Sequence, residues 1–366
     1  MDKYIILGGG IAGLATAIQL VNAGKKVELY EKSAKNQSQG HAFILMPNGL
    51  DALKRIGVKD AVLRLAHPID NFQLHNPEGD LENQQKLPGA LGIRRGVLVN
   101  ILTNALPANF IQYEKGFSHF EKDLNGVIEK AVFSDGTKCS GTVFIGADGI
   151  WSKARKTVYS DFSLSPVRIR EIVSVIKAPE LVKEYAGTFI KVIRKSGGMA
   201  VGMLPCDDTH LVWFIQYDSQ HPHLLDIPLK EQKQRLFQLT RNWCHPIPRL
   251  IEKTDFQKAY TWHTTDMNPI PSFHRKNLVL IGDAAHVLLT LTSQGVSSAL
   301  EDAICLTDLI NQSTDQPQAV IFNRFSNLRR GRMEEYFQLG RDLREQFLFP
   351  MQSIQKRDMP LIYSEV

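Results

Sequence analysis

Residues 4–13 read YIILGGGIAG, and residues 27–31 read VELYE. An apolar strand is followed by a glycine-rich turn, a helix and a second strand that ends in an acid. Gly8 permits a tight turn, Gly10 lets the backbone approach a pyrophosphate, and Gly13 lets the helix pack against the strand. The helix N-terminus attracts phosphate, and Glu31 stands near where an acid accepts hydrogen bonds from a ribose. The pattern therefore predicts a dinucleotide-binding β-α-β unit.

Two other interpretations fit this segment less well. A glycine-rich turn in another type of α/β protein would share the glycines, but not the following helix and terminal acid at this spacing. A secretory signal would need an uninterrupted apolar run and a cleavage site, whereas Gly8, Gly9, Gly10 and Gly13 interrupt this run. The dinucleotide-binding interpretation is therefore preferred.

Composition narrows the class of protein. The 366 residues include 43 lysines and arginines against 38 acidic residues, which gives a net charge of +5. This balance suits an anionic cofactor or substrate, but it is too weak and dispersed to indicate nucleic acid. Four separated cysteines without a C-x-x-C pair indicate free thiols in a reducing cytoplasm rather than disulfides or a metal site. No apolar run reaches the roughly 18 residues of a membrane span, so no transmembrane helix is expected. The protein is expected to be cytoplasmic.

The length favours two linked domains. We expect an α/β fold in which a Rossmann-like nucleotide-binding domain is built from discontinuous segments, with an inserted mixed β-sheet substrate domain and a long C-terminal helix. The nucleotide-binding segments are 1–70, 91–160 and 268–316, the substrate domain takes 71–90 and 161–267, and the C-terminal helical segment is 317–366.

Local patterns predict the individual elements. Helices are predicted over 47–56, 96–106, 229–242, 295–311 and 317–348. Strands of a mixed sheet are predicted over 167–170, 189–193 and 211–215, and a buried parallel strand over 277–283. Short antiparallel strands are predicted between 110 and 145, with turns at Asn125-Gly126 and Asp135-Gly136. The polar stretch 76–90 carries Pro and Gly turn signals.

Two further motifs follow the glycine fingerprint. Residues 146–155 read GADGIWSKAR; residues 282–286 read GDAAH, followed by SQG at 293–295 and LEDA at 300–303. Together the three motifs closely resemble those of the single-component FAD-dependent aromatic monooxygenases. That group contains salicylate and para-hydroxybenzoate hydroxylases, urate hydroxylase and the tetracycline-inactivating monooxygenase. The resemblance runs from residue 4 to about residue 332 and makes the predicted nucleotide-binding domain an FAD-binding domain.

The resemblance implies roles for particular residues. Asp283 corresponds to the acid that holds the ribityl chain of FAD. Gly295 and Val296 correspond to backbone donors at a helix N-terminus, whose dipole stabilises negative charge on the reduced flavin. Asp148 belongs to a motif associated with FAD and nicotinamide binding. Arg95, which fits better by register than Arg94, corresponds to an arginine that contacts FAD.

The predicted cofactor-binding residues are Gly8, Gly10, Ala12, Gly13, Glu31, Lys32, Arg95, Asp148, Asp283, Gly295 and Val296. Arg155 is expected to tie down the loop of the second motif. No catalytic residue is named, and no metal ligand is expected.

Several of these residues have a structural alternative. Asp283 could cap a helix, and Arg95 could form a surface ion pair. His286 is mainly architectural in the family rather than a general base. The four tryptophans are expected to pack rather than to bind substrate. The basic run 324–332 is interpreted as a solvated helix face, with anion binding as the alternative.

Three positions depart from the family pattern. Thr290 replaces a usual proline, Ser293 replaces the first glycine of a G-Q-G triplet, and Ser297 stands at an Asn-like position. FAD binding is expected to survive because the backbone donors remain. The departures affect the shape and polarity of the substrate pocket.

The resemblance implies that NADPH or NADH docks transiently and reduces FAD, since no second G-x-G-x-x-G is present. O2 then gives a flavin hydroperoxide, which hydroxylates an aromatic or polycyclic small molecule. Segments 41–46, 189–217 and 288–294 are expected to line an apolar pocket. A related FAD-dependent dehydrogenase or reductase, or a non-catalytic flavin-binding protein, remains an alternative. The protein is expected to be a monomer or homodimer.

Overall fold

The computed structural model describes residues 2–35, 41–221, 229–313 and 315–350. The strands are β1 (Lys3–Leu7), β2 (Lys26–Tyr30), β3 (Ala42–Leu45), β4 (His67–His75), β5 (Leu81–Arg94), β6 (Ile111–Gln112), β7 (Phe117–Lys122), β8 (Ile128–Phe133), β9 (Lys138–Ser140), β10 (Val143–Gly146), β11 (Ile169–Lys177), β12 (Gly187–Ile193), β13 (Met199–Pro205), β14 (His210–Asp218), β15 (Tyr260–Thr264), β16 (His274–Arg275) and β17 (Leu278–Leu280). The helices are α1 (Ile11–Asn22), α2 (Pro47–Ile56), α3 (Lys59–Leu63), α4 (Arg95–Asn104), α5 (Lys153–Val158), α6 (Pro179–Glu184), α7 (Leu229–Thr240), α8 (Ile247–Lys253), α9 (Gly295–Gln312) and α10 (Gln318–Leu348).

The first sheet explains why the three motifs meet. Its strand order is β16-β17-β10-β1-β2-β6, and β17, β10, β1, β2 and β6 run parallel. Its central strand is buried on both faces, as its continuous apolar sequence predicts. The glycine turn follows β1, Glu31 follows β2, the second motif follows β10, and the third follows β17. The motifs therefore lie at the carboxyl edge of one parallel sheet, where open α/β sheets bind ligands.

The second sheet has the order β15-β11-β14-β13-β12-β4-β5-β3 and is mainly antiparallel. It curls, since the ring of His41, next to edge strand β3, lies 5.8 Å from the ring of Tyr260 on the opposite edge strand. One face is apolar and packs against α6, α7 and α8 around Trp213. The other face, which we call the polar-apolar face, carries two rows of residues paired in register: Glu171, Gln216 and Ala200, and Val173, Phe214, Gly202 and Lys191.

Helix α10 links the two sheets. Its first half packs into the core of the parallel sheet through Phe322 and Phe325. Its second half packs through Leu339 and Leu343 against Ile169 of the second sheet. The helix thus packs across both regions, as an amphipathic segment of this length permits.

Most predicted elements are confirmed, including α2, which ends at Gly57 with a left-handed φ of 87°. The small sheet β7-β8-β9 has its predicted turns at Gly126 and Gly136, both with positive φ. The turn signals of 76–90 concealed a strand, because β5 runs through Pro88-Gly89 with an irregular register against β4. Its polar side chains are tolerated because much of the strand is exposed.

The domain limits stay a prediction, although β3, which falls in the range 1–70, forms an edge of the second sheet. The C-terminal segment is helical to Leu348, and residues 351–366 lie outside the described residues. Within the described ranges, none of the helices has the length and apolar character required to cross a membrane.

Candidate functional site

The glycine turn combines close packing with one open position. A Cβ on Gly8, whose φ is +117°, would lie 2.2 Å from the Ala147 oxygen, and a Cβ on Gly13 would lie 1.9 Å from the Gly8 oxygen. These contacts confirm the turn and packing roles predicted for the two residues. A Cβ on Gly10 would meet no atom within 4 Å. Gly10 is the N-cap of α1, so no side chain of the capping residue covers the first N–H groups of this helix. The N-terminus of α1 is therefore accessible to a ligand.

Glu31 lies against this turn. Its Oε2 accepts a hydrogen bond from Gly9 N at 2.7 Å, and its Oε1 accepts one from Ser33 N at 2.8 Å. These backbone bonds orient the carboxylate at the end of β2. The neighbouring Lys32 is exposed, and Ala12 is buried at the start of α1.

Arg95 brings two motifs together. It is the first residue of α4, and its charge interacts favourably with both Glu31 and Asp283. Desolvation lowers the pKa of Arg95, and the two carboxylates oppose that shift. Arg94 instead pairs with Asp207, with Nε 3.1 Å from Oδ2. These different surroundings are consistent with Arg95, rather than Arg94, as the arginine of the family pattern.

Asp283 lies in a 3-10 turn at Gly282–Ala284. The residue is solvent-accessible, yet the protein around its carboxylate raises its pKa through desolvation, against the attraction of His286, Arg95 and Arg155. Such a carboxylate gains from donors supplied by a ligand, because its charge is incompletely compensated by the protein.

Arg155 connects the second motif to the third. Its Nη2 donates to the Ile150 oxygen at 2.6 Å, and its Nη1 donates to the oxygens of Asp283 and Ala284 at 2.9 and 3.2 Å. The predicted function of Arg155 in tying down the loop is confirmed, and the same side chain also holds the backbone at Asp283.

The Asp148 carboxylate accepts hydrogen bonds from residues that closely follow it in the chain. Its Oδ1 accepts from the Ser152 hydroxyl, and its Oδ2 accepts from Lys153 N at 2.8 Å and Ala154 N at 3.1 Å. These bonds satisfy backbone donors at the start of α5. A contact between Asp148 and a cofactor stays a prediction.

The N-terminus of α9 is also accessible. Gly295 and Val296 are its first two residues and are partly exposed, and Gln294 makes no side-chain capping bond. The first N–H groups of a helix have no partner within the helix, so they can donate to a ligand. Ser293, just before this helix, has φ +56°. The serine thus keeps the left-handed conformation that a glycine adopts more easily.

The other two departures have different surroundings. The Thr290 hydroxyl donates to Glu171 Oε1 at 2.5 Å, a bond that proline could not make. Ser297 is buried, and its hydroxyl has no hydrogen-bond partner among the described residues. Ser297 lies close to Gly49: a Cβ added to Gly49 would be 2.6 Å from the Ser297 hydroxyl oxygen.

His286 belongs to a buried ionic network. Its Nε2 lies 2.6 Å from Asp302 Oδ2, and Arg329 reaches Asp302 Oδ1 with Nε at 2.7 Å and Glu301 Oε2 with Nη2 at 2.9 Å. Asp302 also accepts from Gly282 N at 2.8 Å. His286 therefore has the architectural position implied by the family resemblance.

Two interpretations need correction. The basic run is only partly a solvated face: Arg324 is exposed, but Arg329 is buried, because it compensates the carboxylates of Glu301 and Asp302. The tryptophans do not all pack: Trp213 is buried, whereas Trp151 is 71% exposed because it lies in the turn before α5. The sequence alone does not show which of these arginine and tryptophan side chains are covered by elements distant in the chain.

The polar-apolar face of the second sheet lies next to the third motif through Thr290. Residues paired in register point to the same face. One row of such residues is Glu171, Gln216 and Ala200, and the next is Val173, Phe214, Gly202 and Lys191. The predicted pocket segments meet here: Ile44, Met46, Phe189, Leu204 and Val212 form one buried cluster, and Leu291 joins another with Ala200.

Sequence reasoning missed the buried charges of this face. Glu171 Oε1 also accepts from Gln216 Nε2 and Thr264 Oγ1, each at 3.0 Å. Lys191 is 3% exposed, and desolvation lowers its pKa to about 8, opposed by Glu171. A lysine within the apolar run FIKVI at 189–193 was the available signal. The four cysteines are free thiols, and no cluster of potential metal ligands occurs in the part of the chain that the structure describes.

Comparisons with known proteins agree with this geometry. A sequence-family profile described as "FAD binding domain" matches residues 3–335. The 6-hydroxynicotinate 3-monooxygenase of Pseudomonas fluorescens is 27% identical over 85% of this chain and 83% of its own. The FAD-dependent urate hydroxylase of Klebsiella oxytoca is 26% identical over 86% of this chain and 82% of its own.

The crystal structure of Klebsiella pneumoniae HpxO, complexed with FAD and uric acid, has a similar fold, with a TM-score of 0.84 and 21% sequence identity. The match covers 94% of this chain and 88% of that one. The confirmed fold class is therefore an FAD-binding α/β domain with a second sheet and a long C-terminal helix. The chain belongs to the FAD-binding-domain family and is an FAD-dependent monooxygenase.

Proposed function

We propose that this enzyme uses NADH or NADPH and O2 to hydroxylate an aromatic small molecule. The observation that carries the proposal is that Arg95, the first residue of α4, interacts favourably with the carboxylates of both Glu31 and Asp283. Residues from three distant parts of the chain therefore meet at the carboxyl edge of the parallel sheet. This edge is joined to the polar-apolar face by the bond between Thr290 and Glu171.

The residues at this edge fit an FAD molecule. The open backbone at Gly10 suits a pyrophosphate, and the oriented carboxylate of Glu31 suits ribose hydroxyls. Asp283 is accessible and lacks full compensation of its charge, which suits a ribityl chain with several hydroxyl donors. Arg95 offers a planar fork of donors to phosphate or carbonyl oxygens. We assign FAD contacts to these residues and to Ala12, Gly13, Lys32, Asp148, Gly295 and Val296.

FAD, when bound, supplies the electron-transfer and oxygen chemistry. The N-terminal N–H groups of α9, at Gly295 and Val296, stabilise negative charge close to them. The apolar side chains of Phe189, Val173 and Phe214 hold an aromatic ring and exclude water from it. The names of the relatives, which refer to a hydroxynicotinate and to urate, support a small ring as the substrate. We further propose a cytoplasmic enzyme that acts as a monomer or homodimer.

The proposal is tested with the purified yellow protein. NADPH and NADH oxidation and oxygen uptake are measured across a panel of aromatic and polycyclic phenols. We expect one of them to stimulate turnover and to yield a product heavier by about 16 mass units, the mass of one oxygen atom. A product that has lost two hydrogens would indicate a dehydrogenase instead. Bound FAD that neither nucleotide reduces, with every compound of the panel, would contradict the proposal and favour a non-catalytic flavoprotein.

A further inference from the structure

Lys191 is a buried cation in the middle of a sheet. It lies on β12, which has four strands on one side of it in the sheet and three on the other, and it pairs with Gly202 of β13. The side chain is 3% exposed. Lysines are almost never buried to this extent without a partner, because an uncompensated ammonium loses its hydration.

No carboxylate lies within ion-pair distance of Lys191, and no hydrogen bond from its Nζ occurs, among residues 2–35, 41–221, 229–313 and 315–350. Glu171 is the carboxylate that influences it electrostatically. One oxygen of Glu171 already accepts from Gln216, Thr264 and Thr290. Lys191 therefore has donors that the described protein does not satisfy.

An aromatic surface lies beside this cation. Phe214 pairs with Gly202 on one side, and Lys191 pairs with Gly202 on the other. A Cβ on Gly202 would lie 2.1 Å from Phe214 Cζ, so the Phe214 ring lies directly over this glycine. The ring of Phe214 and the side chain of Lys191 thus share one stretch of the face, between strands β14 and β12. An apolar ring surface beside a buried ammonium is complementary to an aromatic anion.

We propose that Lys191 binds the carboxylate of an aromatic acid, which makes it a specificity-determining residue of the substrate pocket. The inference rests on the proposed function, which places the substrate on the polar-apolar face. A carboxylate would supply the acceptors that Lys191 lacks, and its aromatic ring would lie against Phe214. The nearby Glu171 disfavours a second negative charge, so a monoanion fits this position better than a dianion.

The test measures binding rather than turnover. The FAD-loaded protein, without NADH or NADPH, is titrated with 4-hydroxybenzoate and with its neutral isostere 4-hydroxybenzamide, and the absorbance spectrum of the bound flavin is followed. A hydrogen bond to a charged group is worth enough to favour the carboxylate about tenfold or more over the amide. Since the readout does not require oxygen transfer, a failure of the monooxygenase proposal would not by itself remove this preference.

Variants assign the preference to one side chain. We expect Lys191→Met to lose the preference for the carboxylate and Lys191→Arg to retain most of it, at unchanged flavin content. Lys177→Met is the matched control, because Lys177 is an exposed lysine at the end of β11 in the same sheet; it should behave as the unaltered protein. Should Lys191→Met fold poorly, Lys191→Gln replaces it. Equal binding of the two compounds by the unaltered protein, or a preference that survives in Lys191→Met or Lys191→Gln, would overturn the proposal.

Discussion

The Thr290 hydroxyl donates a hydrogen bond to Glu171 Oε1 at 2.5 Å, and this bond joins the segment before α9 to the second sheet. Thr290 stands where the family usually has proline, and its hydroxyl provides a hydrogen-bond donor that proline lacks. Glu171 is buried and also accepts from Gln216 and Thr264. The junction between the third motif and the second sheet thus depends on a polar network.

Replacement of Thr290 by Val removes this donor while keeping the shape of the side chain. Because Glu171 retains two other donors, we expect the free energy of unfolding to fall by about 1 kcal/mol. Urea denaturation of the FAD-loaded protein measures the change. Thr188→Val is the control, since the Thr188 hydroxyl makes an exposed 3.4 Å bond to Ala186 O. An equal effect of both substitutions would contradict a specific role of the Thr290 bond.

Arg95→Met should weaken FAD binding about ten- to hundredfold, because charged hydrogen bonds contribute roughly 1.5–3 kcal/mol each. Arg94→Met is the adjacent control: Arg94 pairs with Asp207 instead. The Kd for FAD is obtained from the quenching of flavin fluorescence when apoprotein is added. Similar affinities for the two variants would remove Arg95 from the cofactor site.

Lys191→Met should stabilise the protein in a pH-dependent manner. Burial lowers the pKa of Lys191 to about 8, from 10.5. Between pH 8 and pH 10.5 the lysine is protonated in the unfolded chain and neutral in the folded protein. The free energy of unfolding of the unaltered protein therefore rises with pH through that interval. The gain from the substitution is therefore about 3 kcal/mol below pH 8 and shrinks towards zero above the ordinary lysine pKa.

Urea midpoints at several pH values, with saturating FAD, test this expectation. Lys177→Met should show no comparable dependence, because Lys177 is exposed. A gain for Lys191→Met that stays constant with pH would show that the lysine is not desolvated in the folded state.

Ser293→Gly should raise the free energy of unfolding by up to about 1 kcal/mol. Ser293 has φ +56°, a conformation that is unfavourable for residues with a Cβ, and the gain exceeds the extra entropy of glycine in the unfolded chain. Ser298→Gly, inside α9, should instead destabilise by about 0.5 kcal/mol, because glycine has the lower helix propensity. Thermal unfolding distinguishes the two signs, and a destabilising Ser293→Gly would contradict backbone strain at this residue.

Arg329→Met should destabilise strongly, by about 3–5 kcal/mol, since it leaves the buried carboxylates of Glu301 and Asp302 without their cation. Its neighbour Arg330 pairs with Glu334 at the surface. Arg330→Met should therefore change the stability by less than about 1 kcal/mol. Denaturant unfolding of both variants provides the comparison, and equal losses would argue against the network.

The sequence alone determined the local conformation at residues where the presence or absence of a Cβ decides it. Gly8 and Gly13 lie where a Cβ would collide with backbone oxygens, and Gly57 ends α2 in the left-handed region. Such preferences are local, because they follow from the presence or absence of a Cβ. The order of the three motifs likewise indicated the family before any contact was known.

Tertiary structure decided burial and the neighbours of each charge. Arg324 and Arg329 look alike in the sequence, yet Arg329 is buried between two carboxylates from α9. Lys191 lies in an apolar run, but its isolation depends on the register of β12 with β13 and on the position of Phe214. Strand 81–94 formed despite its turn signals because β3 and β4 pair with it. These outcomes depend on segments that are distant in the chain, and the free energy of a charge is set by what surrounds it rather than by its sequence neighbours.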